Sequence, residues 1–368
     1  MCKKNYDSVL ILESGKCFLG KGIGKKGKSI GEVCFTTSIT GYQHTITDPS
    51  FADQIITFTF PHIGNVGINH SDYERKKIFA IGIVVKELSC GSHPSSYTEI
   101  NDWLEENSIV GISGIDTRAL TKYLRENGPQ KGMMCSAGVD LEQALKELNE
   151  HKVQEDIKIT NKVSLNSFAD TNNDTPKYRV VIVDFGVKAS ITKQLIALSC
   201  SINIIKPDKN LVENILRMSP DGIVLSNGPG DPKLISNYIF TELDGLVKLK
   251  IPIFGICLGH QLLAIALGGK TVKMNNGHRG SNHPVYNIIN KKMEITSQNH
   301  GFVVDHTSLP RNVEVTHVSL FDNTVEGMAV KGLPIFSVQY HPEGGPGTHD
   351  SHYLFELFIN NVKLYQSK

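Results

Sequence analysis

Residues 251–261 read IPIFGICLGHQ, and this stretch decides the fold. Its apolar part, residues 251–256, is typical of a buried strand, and residues 258–267 continue as a helix. Further apolar runs precede it and are also strand candidates: residues 179–184, 202–205 and 222–226. Strands that alternate with helical segments predict parallel strands with helices on both faces. The second half of the chain is therefore predicted to be α/β, with a doubly wound, mostly parallel sheet that binds ligands beyond the carboxyl ends of its strands.

The centre of this stretch has the pattern of a nucleophile elbow. Gly255 and Gly259 flank Cys257 as G-x-C-x-G, directly between the predicted strand and the predicted helix. The turn places the sulfur at the end of the sheet, and the helix N-terminus favours a thiolate there. The backbone N–H of Leu258 is placed to stabilise an oxyanion. An isolated cysteine would be interpreted as a buried core residue, and the other cysteines are interpreted in that way: Cys2, Cys17, Cys34, Cys90, Cys135 and Cys200.

A thiolate nucleophile requires a base and a residue that orients the base. His341 follows a predicted strand at residues 334–339, which places it at the same end of the sheet as Cys257. Glu343, two residues further on, can hold the imidazole in one tautomer. The chain has 14 histidines, so spacing alone does not select one. The rivals are interpreted as packing or surface residues: His260, His300, His306 and His317.

A glycine-rich loop follows the third predicted strand. Residues 226–232 read SNGPGDP, in which Gly228 and Gly230 leave the neighbouring N–H groups unobstructed. Such a loop suits an anion or an oxyanion. An ordinary tight turn explains the same letters equally well.

Another glycine-rich segment, residues 22–29, reads GIGKKGKS and satisfies the letters of a phosphate-binding P-loop. That motif binds phosphate only where a strand leads into a helix. Here residues 30–36 (IGEVCFT) have the composition of a strand. The segment is therefore predicted to connect two strands, and not to bind ATP.

The polar segment at residues 164–177 (SLNSFADTNNDTPK) divides the chain. It is predicted to be a linker between an N-terminal domain at residues 1–163 and a C-terminal domain at residues 178–368. The N-terminal half is predicted to be mixed α/β. It has β-rich stretches at residues 32–40 and 54–60 and helices that begin after Asp116 and Asp140.

Composition excludes several classes of protein. Lys and Arg total 38 and Asp and Glu total 37, a net charge of +1, which argues against nucleic-acid binding. Seven cysteines without a C-x-x-C pair do not indicate a disulfide framework or a zinc module. No apolar run approaches the length of a membrane span or a secretory signal. The sequence predicts a cytoplasmic protein with reduced thiols, or one of the plastid stroma.

Several motifs together resemble a known family. GICLGHQ at residues 255–261, HPE at 341–343 and the SNGPGDP loop resemble a class I (triad) glutamine amidotransferase. The further motifs narrow the resemblance to the small (glutaminase) subunit of glutamine-hydrolysing carbamoyl-phosphate synthase. They are TGYQ at 40–43, TDPS at 47–50, FPHIGN at 60–65, GISGIDTR at 111–118, DFGVK at 184–188, NHPV at 282–285 and QNHGF at 298–302.

This resemblance implies a role for each matching residue. Cys257 attacks the side-chain amide of glutamine and forms a thioester, His341 transfers the proton, and Glu343 orients His341. The residues implied to hold glutamine are Ser50, Gly228, Gly230, Leu258, Gln261, Asn299, Gly301 and Phe302. Because Ser50 comes from the N-terminal domain, the pocket is expected between the domains.

The resemblance also implies a partner. Ammonia would pass internally to a large subunit that binds ATP, a divalent metal and bicarbonate. That subunit would make carbamoyl phosphate for pyrimidine and arginine synthesis. No cofactor and no metal are expected in this chain. The alternatives are the glutaminase of another synthase, a stand-alone thiol hydrolase and a regulatory subunit without turnover. The N-terminal half argues against the first two, and the intact Cys257, His341 and Glu343 argue against the third.

Two departures from the family pattern stand near the predicted triad. Gly344 and Gly345 replace the usual Ala-Ser after HPE and are expected to loosen that segment. Arg279 stands where a smaller or imidazole side chain is expected.

Overall fold

The structure, a computed structural model, describes residues 6–136, 138–151, 156–164 and 176–367. It divides into two compact units, Met1–Gln154 and Glu155–Lys368. The centre of the predicted linker, residues 165–175, lies outside the described residues, so the predicted domain limits stay a prediction. Among the described residues, no helix has the length and apolar character that crossing a membrane requires.

The first unit is built on a closed barrel. Its strands are β1 Ser8–Leu12, β2 Cys17–Gly24, β3 Ser29–Thr36, β4 Gln54–Phe58, β5 His62–Ile63, β6 Gly82–Val84, β7 Glu87–Leu88, β8 Val110–Ser113 and β9 Gln130–Ser136. The barrel order is β1-β2-β8-β6-β4-β3-β9, and β5 pairs with β7 separately. The helices are α1 Tyr42–Thr47, α2 Ile100–Glu106, α3 Thr117–Asn127 and α4 Leu141–Glu150. Parallel and antiparallel pairs both occur, which confirms the mixed α/β prediction.

Two local predictions in this unit are confirmed. The glycine-rich segment at residues 22–29 connects β2 to β3 and precedes no helix, so it lacks the context of a P-loop. Asp116 caps α3, because its carboxylate accepts a hydrogen bond from the backbone N–H of Ala119 at 2.9 Å. Asp140 caps α4 in the same way through Glu142.

The second unit contains a nine-stranded sheet. Its strands are β10 Tyr178–Val183, β11 Cys200–Ile205, β12 Gly222–Leu225, β13 Ile253–Ile256, β14 Thr271–Asn287, β15 Lys292–Val304, β16 Val313–Ser319, β17 Val325–Val330 and β18 Ile335–Val338. The order is β11-β10-β12-β13-β18-β17-β16-β14-β15. The first five strands are parallel, as predicted. The remaining four pair antiparallel and extend the sheet, a feature that the sequence analysis did not predict.

Helices cover both faces of the parallel strands. They are α5 Asp156–Val163, α6 Ala189–Ala197, α7 Leu211–Arg217, α8 Pro232–Lys248, α9 Leu258–Ala266 and α10 Tyr353–Gln366. Successive residues of β10 belong to different cores, because strand side chains alternate between faces. Val181 and Val183 pack in the core that contains α8 and α9, whereas Val180 and Ile182 pack in the core that contains α6 and α10. This double burial explains why the strands read as continuous apolar runs.

Candidate active site

Cys257 lies in the turn between β13 and α9. Its backbone has φ 54° and ψ −103°, in the positive-φ region that side chains rarely adopt, as an elbow requires. The turn is held at its start by a hydrogen bond from the backbone N–H of Cys257 to Val338 O, at 2.9 Å. The sulfur lies 3.6 Å from Asn299 O and 3.8 Å from Gln339 Nε2.

The two glycines of the elbow allow close packing. A Cβ at Gly259 would lie 2.1 Å from Leu225 O at the end of β12. A Cβ at Gly255 would lie 2.9 Å from Ser337 Cβ on β18. The N–H of Gly259 donates instead to Ser226 O at 3.0 Å. Glycine is required here because neighbouring backbone fills the space of a side chain.

His341 and Glu343 follow β18 at the same end of the sheet. The backbone N–H of His341 donates to Ser297 O at 2.8 Å, which joins this segment to β15. The ring atom Nδ1 of His341 lies 2.8 Å from Glu343 Oε1. Because a carboxylate only accepts, Nδ1 carries the proton. The other ring nitrogen, Nε2, is buried, and an interaction with Cys257 helps to raise the pKa of this ring.

Lys188, at the start of α6, binds the same carboxylate. Its ammonium lies 2.8 Å from Glu343 Oε1 and 2.5 Å from Gly345 O, and the side chain is 1% exposed. The sequence analysis gave Lys188 no role. A lysine is rarely buried unless it is paired, and its partner lies far along the chain, so only the fold brings the pair together. The sequence indicates a role for Lys188 only through its position after β10, at the edge of the sheet where the site is predicted.

The charges of this group determine its protonation. Burial lowers the pKa of His341, but the neighbouring Glu343 carboxylate outweighs burial and raises that pKa to about 10. Burial raises the pKa of Glu343, but Lys188 and His341 outweigh it and lower that pKa to about 2. The carboxylate is therefore ionised at neutral pH, and the imidazole has a strong affinity for a proton.

The glycine-rich loop at residues 226–232 follows β12 at this edge. Ser226 Oγ accepts a hydrogen bond from Phe185 N at 3.0 Å, and Asn227 Oδ1 accepts one from Lys188 N at 3.2 Å. A Cβ at Gly228 would lie 2.2 Å from Phe185 O. The loop is therefore packed against the segment that ends β10.

The predicted glutamine-binding residues of the second unit lie along three elements. Gly228 and Gly230 are in the loop after β12, Leu258 and Gln261 are in the first turn of α9, and Asn299, Gly301 and Phe302 are on β15. Gln261 Nε2 donates to Phe302 O at 2.8 Å and to Gln339 Oε1 at 3.0 Å. This places α9 beside the segment of β15 whose Asn299 carbonyl meets the sulfur.

Ser50, the remaining predicted glutamine residue, belongs to the first unit. It lies in the short 3₁₀ turn Pro49–Phe51, and its backbone N–H donates to Asp48 Oδ1 at 2.8 Å. Its predicted role stays a prediction.

The four rival histidines have other environments. His260 is fully buried, Nδ1 lies 2.8 Å from Ser337 Oγ, and burial lowers its pKa to about 3. His317 lies 2.8 Å from Thr316 Oγ1, and burial lowers its pKa to about 4. Both ring nitrogens of His300 meet polar atoms, and His306 is exposed. His341 differs from these four histidines because its carboxylate partner, Glu343, lies two residues further along the same segment.

The two departures from the family pattern have structural explanations. Gly344 has φ 65°, and a Cβ there would lie 2.4 Å from Thr348 O, so this position requires glycine. Its N–H donates to His341 O, and the Gly345 carbonyl accepts from Lys188, so hydrogen bonds hold the segment that was expected to be loose. Arg279, opposite Asn299 in the β14–β15 ladder, donates to Asn276 O at 3.1 Å.

The second unit matches a known protein family. Residues 181–361 match the family model "Glutamine amidotransferase class-I". The elbow cysteine and the His341–Glu343 pair lie within this range, as does the parallel sheet apart from the first three residues of β10. The fold and the site thus define a class I glutamine amidotransferase.

The first unit matches a more specific family model. Residues 10–134 match the model "Carbamoyl-phosphate synthase small chain, CPSase domain". The carbamoyl phosphate synthase small chain of Bartonella henselae is 44% identical over 98% of this chain and 95% of its own length. That of Xanthomonas campestris is also 44% identical, over 96% of this chain and 98% of its own length. The chain belongs to the family of carbamoyl-phosphate synthase small chains, as the sequence motifs predicted.

Proposed function

We propose that this chain hydrolyses glutamine and supplies the ammonia to a large, ATP-using partner chain that makes carbamoyl phosphate. The observation that carries the proposal is the buried arrangement of Cys257, His341 and Glu343 at the end of a parallel sheet. Membership in the small-chain family supports both the substrate and the partner. The carbamoyl phosphate would serve pyrimidine and arginine synthesis.

The proposed reaction begins at Cys257. In the resting site the proton of the thiol lies on His341 Nε2, the buried ring nitrogen, and the thiolate attacks the side-chain carbonyl carbon of glutamine. The oxyanion that forms is stabilised by the N–H of Leu258 and by the loop that contains Gly228 and Gly230. His341 then protonates the departing nitrogen, the C–N bond breaks, and ammonia leaves a glutamyl thioester on Cys257.

Water completes the cycle. His341 removes a proton from a water molecule, the resulting hydroxide attacks the thioester carbon, and the C–S bond breaks to release glutamate. The proton stays on His341, and the sulfur returns to the thiolate of the resting site. Glu343 keeps the proton of His341 on Nδ1 throughout, so Nε2 is the atom that exchanges protons.

Gln261, Asn299, Gly301 and Phe302 are proposed to hold the glutamine. The contact of Asn299 O with the sulfur and the bond from Gln261 to Phe302 O support this assignment. No catalytic step in this chain needs a cofactor. We propose that ATP and its divalent metal bind to the partner chain.

A glutamine analogue with a chloromethyl ketone in place of the amide tests the nucleophile. The reagent should alkylate the chain once, at Cys257, as mass spectrometry of the digested protein would report. Free glutamine should slow the labelling, and Cys257→Ser should abolish it. The matched control is Cys200→Ser, because Cys200 is a fully buried thiol whose burial raises its pKa to about 12. Labelling that survives in Cys257→Ser would contradict the assignment.

A further inference from the structure

A second group of polar residues is buried behind the β14–β15 ladder. His278 on β14 is directly opposite His300 on β15, and Glu326 lies on β17. Their exposed fractions are 7%, 5% and 0%. Because strand side chains alternate, the two histidines face away from their neighbours Arg279 and Asn299. The cluster is therefore separate from the side of β15 that Asn299 presents.

Three donor atoms of this cluster converge on one point. Glu326 Oε1 lies 3.3 Å from His278 Nδ1 and 4.0 Å from His300 Nε2. All three atoms lie within 4.8 Å of one another. Zinc binds nitrogen and oxygen at about 2.0–2.2 Å, so tetrahedral ligand atoms are about 3.3 Å apart. The Glu326–His278 pair already has this separation, and the two pairs that involve His300 need a small inward movement of that ring.

The outer nitrogen of each ring faces a hydrogen-bond acceptor. His278 Nε2 lies 3.1 Å from Asp322 Oδ2, and His300 Nδ1 lies 2.9 Å from Phe302 O. A carboxylate and a backbone carbonyl accept hydrogen bonds, so when a metal ion occupies the inner side these two nitrogens can carry the protons. The inner nitrogens of the neutral rings then present lone pairs to Glu326. Metal-binding histidines characteristically have this second bond to a carboxylate or a carbonyl.

Gln298 adds a fourth oxygen. Its side-chain nitrogen donates to Thr296 Oγ1 at 3.1 Å and to Glu326 Oε2 at 2.9 Å. Its carbonyl oxygen therefore faces His300 Nε2, at 2.8 Å. Either a proton on His300 Nε2 or a cation bound by both atoms would satisfy this contact. His278 Nδ1 is buried and faces Glu326 Oε1 at 3.3 Å.

We propose that His278 Nδ1, His300 Nε2 and Glu326 bind a divalent metal ion of the zinc class, with Gln298 Oε1 as the fourth ligand. Imidazole nitrogen with one carboxylate is a donor set that zinc prefers. The ion would be neutralised by Glu326 and, through His278, by Asp322. It would join β14, β15 and β17 and so stabilise the sheet. The proposal does not depend on the proposed function.

No metal is expected in this chain from its resemblance to the small-subunit family. The proposed ligands come from three separate strands, and only Gln298 and His300 are close in sequence, so the absence of a C-x-x-C pair did not bear on them. The proposal therefore revises that expectation.

Zinc binding by the full-length Cys257→Ser chain tests the proposal, because this background removes the thiol of the proposed nucleophile. After chelator treatment, added zinc should bind at one ion per chain by elemental analysis and raise the thermal midpoint. Glu326→Gln should abolish tight binding. Asp322→Asn should weaken it about 10–100-fold, as loss of an outer partner does. His283→Asn is the matched control, because that ring packs against His278 at 5.1 Å but supplies no donor, and it should keep the parent affinity.

X-ray absorption of the zinc-loaded parent chain tests the proposed ligand set even if the ligand variants do not fold. The first shell should contain two imidazole nitrogens and oxygen, without sulfur. Sulfur in that shell would overturn the proposal, and so would zinc affinity in Glu326→Gln equal to that of the parent chain.

Discussion

The Glu343 carboxylate contacts two cations, the Lys188 ammonium and the His341 imidazolium. Lys188 is therefore a fourth member of the Cys257–His341–Glu343 group. Lys188 and His341 both contact Oε1 at 2.8 Å, and the second oxygen, Oε2, has no hydrogen-bond partner among the described residues. A buried charge that loses its partner is costly. Lys188 therefore supports the ionised state of Glu343, and through it the tautomer of His341.

Lys188→Met should destabilise the chain and move its activity along the pH axis. Removing one partner of a buried ion pair costs about 3–5 kcal/mol, which urea unfolding would measure. The pKa of Glu343 should rise because the cation that lowers it is gone, so glutaminase activity should fall at a higher pH on the acid side. Lys193→Met is the control, because Lys193 is exposed on the same helix and should change stability by at most about 0.5 kcal/mol. An unchanged pH profile in Lys188→Met would contradict the positioning role.

His341→Asn should alter the dependence of stability on alkaline pH. The pKa of His341 is raised from 6.5 to about 10 in the folded chain. Its contribution to the free energy of unfolding is therefore complete below pH 6.5 and is lost as pH rises toward about 10. Urea unfolding at several pH values should show this loss in the parent chain and a flatter profile in His341→Asn. Parallel profiles would contradict the raised pKa.

At the level of elements, the end of β13 and the start of α9 position the sulfur, and their glycines make the close contact possible. Gly259→Ala should place a methyl group against Leu225 O, a backbone atom that cannot move aside. Overpacking of this kind costs about 1–3 kcal/mol or more. Labelling of Cys257 by the chloromethyl ketone should slow strongly.

Gly245→Ala is the matched control for this substitution. Gly245 lies inside α8, and its added Cβ meets only the side chain of Val212. The gain in helix propensity, about 1 kcal/mol, offsets that contact. Its labelling rate should equal that of the parent chain. Equal stability and labelling in Gly259→Ala would contradict the packing argument.

The elements also show what a sequence can and cannot predict. Buried parallel strands such as β10 and β13 are continuous apolar runs, so their positions were predictable. The long pair β14 and β15 was not, because residues 271–287 contain Gly, Asn, His and Pro without alternation. Cys257 was predictable because the elbow is local. Lys188 was not, because its burial depends on partners from distant parts of the chain.

At the scale of the whole molecule, the proposed large partner chain is expected to set the rate of glutamine hydrolysis. Free ammonia in water is protonated and lost as a nucleophile, so hydrolysis without a waiting acceptor is wasteful. The isolated chain should therefore hydrolyse glutamine slowly, and addition of the large chain should raise the rate at least about tenfold. Glutamate release measured with and without the large chain checks this. A rate that is indifferent to a partner that binds would contradict the coupling.

The central claim is that Cys257 of this chain generates ammonia for carbamoyl phosphate synthesis in a complex with the large chain. The most direct measurement compares Cys257→Ser with the parent chain in the reconstituted complex, with either glutamine or an ammonium salt as nitrogen donor. Carbamoyl phosphate formation from glutamine should fall by about 10³-fold or more, whereas formation from ammonia should remain close to the parent rate. Glutamine-dependent synthesis that survives in Cys257→Ser would contradict the claim.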